Sequence, residues 1–74
     1  MEDQVLKNIS KKIKKLRKDK GYTSYESFVF DYDLPRMQYW RIESGKTNLT
    51  IKSLLKILKI HKLTLKEFFS SDID

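Results

Sequence analysis

Seventy-four residues limit the chain to one domain, and a domain this small buries only about 60% of the surface its unfolded chain exposes. With no cysteine and a single histidine, His61, disulfides, thiolate metal sites and a zinc ligand set are excluded, so the expected fold carries neither metal nor cofactor. The net charge of +6 points to polyanionic partners, and no apolar run approaches the ~18 residues of a membrane span.

The charge is uneven. Residues 1–20 hold eight Lys or Arg against three acids, and residues 46–74 hold six Lys against three acids. Residues 21–45 are net acidic, with Arg36 and Arg41 against Glu26, Asp31, Asp33 and Glu43. Met1-Glu2-Asp3-Gln4 lacks the basic start of a signal peptide, so the expectation is a cytoplasmic protein with no membrane attachment.

In chain order, Leu6, Ile9, Ile13 and Leu16 repeat with a helical period. Asp3 suits the N-cap, and Lys18, Lys20 and Gly21 suit the end, giving a first helix over 4–20. Its lysines at 7, 11, 14, 15 and 18 read as a solvated face. Ser24 caps a short second helix that turns Phe28 and Val29 inward, ended by Asp31-Tyr32-Asp33. The composition of 25–32 is otherwise β-prone. Pro35 suits the first turn of a third helix, Tyr39 and Ile42 share its inner face, and Gly45 stops it. Thr50 caps a fourth helix, in which Ile51, Leu54, Leu55 and Leu58 follow the i, i+3, i+4, i+7 pattern. Thr64-x-x-Glu67 forms a capping box for a last helix carrying Leu65, Phe68 and Phe69. The expectation is a single all-α domain over 1–74, a compact bundle of about five short helices. Its core runs over 5–69 and a short polar tail follows.

Two short helices joined by a tight turn, from Ser24 to Gly45, have the spacing of a helix-turn-helix. The run Arg41-Ile42-Glu43-Ser44-Gly45-Lys46 resembles the end of the reading helix in the lambda-repressor/Cro-like family, also called the XRE family. Leu16-Arg17 with Gly21 is similar to that family too. So are Thr50-Ile51-x-x-Leu54-Leu55 and Leu63-Thr64-Leu65-Lys66-Glu67-Phe68. The resemblance spans residues 9 to 69.

It implies a DNA-binding regulator or repressor of transcription that is not an enzyme, and that puts the helix near 35–44 into the major groove. Arg17 and Glu43 would pair across the first and third helices. Arg36, Met37 and Arg41 match the family's base-contacting positions, and Trp40 lies on the same outer face. Arginine is suited to guanine O6 and N7, and methionine to a thymine methyl. For either arginine the competing reading is a phosphate contact or a solvent-facing side chain. Ser24, Tyr25, Ser44, Lys46, Thr47, Asn48 and Thr50 are the candidates for the DNA backbone.

The chain departs from the family at Tyr25, where Gln is usual. It departs again at Pro35 and Trp40, where small polar residues are usual. Ile57, Ile60, Phe69 and Ile73 form a candidate apolar patch for a weak homodimer. The alternative use of that patch is a protein-interaction module such as an antitoxin component gripping a toxin. A membrane-surface peptide is disfavoured because the basic first helix lacks aromatic anchors, and RNA binding because no aromatic stacking motif is present.

Overall fold

The computed structural model describes residues 2–46 and 49–70. Five helices follow one another, and no strand occurs among the described residues. They are α1 (Glu2–Asp19), α2 (Tyr25–Asp31), α3 (Arg36–Ser44), α4 (Ile51–Ile60) and α5 (Leu65–Ser70).

The starts are set by side chains. Ser24 accepts a hydrogen bond from the Ser27 N–H at 3.2 Å, and Thr50 accepts one from the Ser53 N–H at 3.1 Å. Thr64 and Glu67 satisfy each other's backbone N–H, at 2.9 and 3.1 Å. Each bond removes one of the unpaired donors that every helix start exposes. The β-prone run 25–32 is therefore helical: Ser24 caps it, and Phe28 and Val29 are buried. Two starts differ from the sequence reading. Asp3 lies inside α1, which already begins at Glu2, so it is not the cap. Pro35 stands at the N-cap of α3 rather than in its first turn, with φ −64°, and offers no side-chain cap.

The ends of α1 to α4 share one construction. A residue two or three past each helix donates its N–H five residues back: Tyr22 to Arg17, Leu34 to Val29, Lys46 to Arg41 and Leu63 to Leu58. The residue before it takes a left-handed backbone. Gly21 and Gly45 fill that place for α1 and α3, whereas Asp33 (φ 53°) and Lys62 (φ 59°) fill it for α2 and α4.

All five helices feed one core of Ile13, Phe28, Val29, Tyr39, Ile42, Leu54, Ile57, Leu58 and Phe68. Phe28 is its centre, with ring centroids of Tyr22, Tyr32 and Tyr39 at 5.3, 4.9 and 5.3 Å. Truncating such a residue to alanine costs about 3–5 kcal/mol, a large share of the stability of so small a domain. In α4 the inward face is Leu54, Ile57 and Leu58, while Ile51 and Leu55 are exposed. That placement corrects the apolar patch: Ile57, 3% exposed, is spent in the core and has no surface left for a partner.

Candidate nucleic-acid interface

The position of α3 is fixed from behind by α1. The buried seam of α1 is Ser10, Ile13 and Arg17, two of them polar. Ser10 Oγ donates to the Ile42 carbonyl at 2.6 Å. Arg17 grips Glu43 at two points, Nε to Oε2 at 2.7 Å and Nη2 to Oε1 at 3.0 Å. Its remaining branch, Nη1, donates to the Tyr22 carbonyl at 2.8 Å. The two side chains are only 4% and 8% exposed. The Glu43 carboxylate holds the guanidinium above its ordinary range, against the opposing effect of burial. Beside the pair the buried Tyr39 hydroxyl makes no hydrogen bond, and burial, reinforced by Glu43, pushes its pKa up. Two-point pairing suits the planar fork of arginine and fixes the rotation of α3 as well as its distance from α1.

That rotation turns the other face outward. Arg36 and Arg41 are exposed, Met37 is 55% exposed, and Trp40 is half-buried. Arg41 forms no ion pair among the described residues, and Ser44 Oγ donates to the Arg41 carbonyl at 3.0 Å. Lys46 Nζ lies 5.2 Å from the centroid of the Trp40 ring. Arg36 Nη2 lies 2.9 Å from Glu26 Oε2, across the helix-turn-helix. A short helix thus presents two arginines and a methionine from a rigid back, which is the chemistry of direct readout.

Forty-eight per cent of 59 residues are identical to the control protein C.MunI of a Mycoplasma species, over 80% of this chain and 80% of that protein. The chain belongs to that control-protein family. The plasmid copy control protein CopR of Streptococcus agalactiae is 44% identical over 50 residues, covering 68% of this chain and 54% of CopR. No family model and no solved structure matches. The chain is a DNA-binding regulator of transcription, built as an all-helical helix-turn-helix bundle.

In this control-protein chain the candidates for the DNA backbone differ in what their side chains already do. Ser24 is occupied as the α2 cap and Tyr25 is half-buried against the core. Thr50 caps α4 and also donates to Ser53 Oγ at 3.0 Å, so its backbone and not its hydroxyl is free to serve phosphate. Lys46 is exposed, and Thr47 and Asn48 lie outside the described residues. Of the apolar patch, Phe69 is 51% exposed, Ile60 is half-buried on the core, and Ile73 lies outside the described residues.

Sequence reasoning missed the roles or placement of four residues. Ser10 joins the α1–α3 seam although only apolar residues were followed there. Glu26 reaches Arg36 over ten residues, a separation without helical or strand period. Ile51 and Leu55, 60% and 46% exposed, lie one turn apart on the outside of α4. No three of the described His, Asp or Glu residues are placed to hold a metal ion, and no helix is long and apolar enough to cross a membrane.

Proposed function

We propose that this regulator reads double-stranded DNA in the manner of lambda-repressor/Cro-like (XRE-family) domains. α3 lies in the major groove, and Arg36, Met37, Trp40 and Arg41 face base edges. The observation that carries the reading is the asymmetry of α3: its back is locked by the buried Arg17–Glu43 pair, and its front leaves Arg41 without an acidic partner among the described residues. Ser24, Tyr25, Ser44, Lys46 and Thr50, with Thr47 and Asn48, then serve phosphates and set the register. The net charge of +6 supplies the long-range attraction, and the exposed lysines of α1 contribute most of it.

One reading helix meets only a few base pairs, too few to select a site against genomic competition. The regulator therefore acts as a homodimer whose two α3 helices meet successive major grooves about 34–36 Å apart. Exposed Phe69 on α5, and exposed Ile51 and Leu55 on α4, supply apolar surface for such an assembly.

Selection from random duplexes, followed by measurement with Arg41→Ala, tests the readout. The substitution is expected to relax preference at one base pair per half-site by about 1–3 kcal/mol and to leave the fold unchanged. An equal loss on every sequence makes Arg41 a phosphate contact, and failure to enrich any sequence overturns specific reading altogether.

A further inference from the structure

We propose that Glu26 is a positioning residue for base recognition, holding the Arg36 guanidinium at the leading end of α3 in the attitude in which it meets a base. The proposal rests on the reading of α3 as the major-groove helix. Arg36 is the first residue of α3 and follows Pro35, whose ring fixes the backbone at φ −64°. The backbone of Arg36 is set by the helix it opens, but its long side chain is not. Glu26, the second residue of α2, closes that gap: its Oε2 accepts from Arg36 Nη2 at 2.9 Å. Glu26 takes only one N–H of the guanidinium, so the carboxylate does not close off the fork. Tyr25, beside Glu26, acts on the same guanidinium and with it favours the charged form.

The pair has little to do with folding. Its side chains are 61% and 57% exposed, and an ion pair at such a site adds little stability. Nor does a carboxylate help general attraction to DNA, since it stands on the face offered to phosphates. Its gain lies in order: an arginine already held in one rotamer loses less freedom when it bonds a base. Glu26 also neutralises Arg36 until a base edge competes for it. Generic phosphate binding thus gains little from Arg36, and discrimination gains more.

The test uses the full chain and a duplex selected by it, with all single-base variants of one half-site. Glu26→Gln and Glu26→Ala are compared with Arg36→Ala, and melting temperatures are recorded for each. Glu26→Gln is expected to lower discrimination about tenfold at the one base pair that Arg36→Ala also relaxes. Discrimination elsewhere and the melting temperature stay unchanged, and affinity for a random duplex rises. Unchanged or sharper discrimination at that base pair overturns the proposal, because Glu26 is then a bystander or a competitor. If Arg36→Ala itself alters no base preference, the reading of Arg36 falls and the proposal with it. The two failures are distinguished by which variant is silent.

Discussion

His61 lies flat against Phe28, ring centroids 5.6 Å apart and planes within 6° of parallel. The imidazole closes the core at the end of α4, and its Nε2 is buried with no hydrogen-bond partner. Burial, and then the nearby charge of Lys20, lowers its pKa below the ordinary value of 6.5. The folded chain therefore holds this histidine neutral where the unfolded chain would protonate it.

Stability should consequently fall as the pH drops below about 6.5, because the unfolded state then binds a proton that the folded state refuses. The contribution is fully present above that pH. Thermal melts from pH 7.5 to 5.5 would show the decline, and His61→Leu should flatten it. An equal decline in His61→Leu would assign the effect to other groups.

Removing one partner of the Arg17–Glu43 pair strands the other charge in the seam between α1 and α3. Arg17→Met or Glu43→Gln should each cost about 3 kcal/mol, and the double change should cost less than the sum of the two. Denaturant titration of the four proteins measures this coupling. Simple additivity would show that the two-point contact carries no coupling energy. Arg17→Met should remain the more harmful single change, since it also frees the Tyr22 carbonyl.

The helix ends show how far local chemistry was readable. Gly21 and Gly45 announced theirs, because a positive φ strongly favours the residue without a side chain. Asp33 stood in a recognisable turn. Lys62 takes the same backbone with no local signal, and the packing on both sides imposes it. The apolar residues of α4 fit several overlapping stripes, so the sequence alone could not decide that Ile57 faces inward and Ile51 outward. Tertiary contact made that choice. Ser10 and Glu26 went unread for a related reason: each acts on a residue that only the folded chain brings near. Arg17, Glu43 and the outward face of α3 were legible through resemblance to a family and a helical period, which together fix direction but not distance.

Lys62 is accordingly a place where the chain can be improved. A side chain in the left-handed region costs about 1–2 kcal/mol, which glycine avoids at some loss of unfolded-state restriction. Lys62→Gly should raise stability by about 0.5–1 kcal/mol in a denaturant titration. A loss would mean that the lysine stem packs more usefully than its backbone strain suggests.

Assembly can be tested at the outer side of α4 and α5. Phe69→Lys and Leu55→Lys should weaken the homodimer by about tenfold or more, the scale of losing one buried anchor. Sedimentation with and without a palindromic duplex would report it, with each variant's melting temperature as a check on folding. Unchanged assembly in both variants would move the interface elsewhere.

The close approach at Gly45 has a mechanical consequence. A methyl group there would come within 3.3 Å of Ser10 Oγ, the same hydroxyl that bonds the Ile42 carbonyl. α3 is thus clamped to α1 over its trailing half, Ser10 against Ile42 and Gly45, and Arg17 against Glu43. Its leading end, at Pro35, has no side-chain cap and is tied by exposed contacts, Arg36 to Glu26 and Gln38 to Ser53. The reading helix is mounted as a cantilever. When the domain settles onto a duplex of varying groove width, the leading turn of α3 has more room to adjust than its trailing turn, where Glu43 moves with the body of the protein.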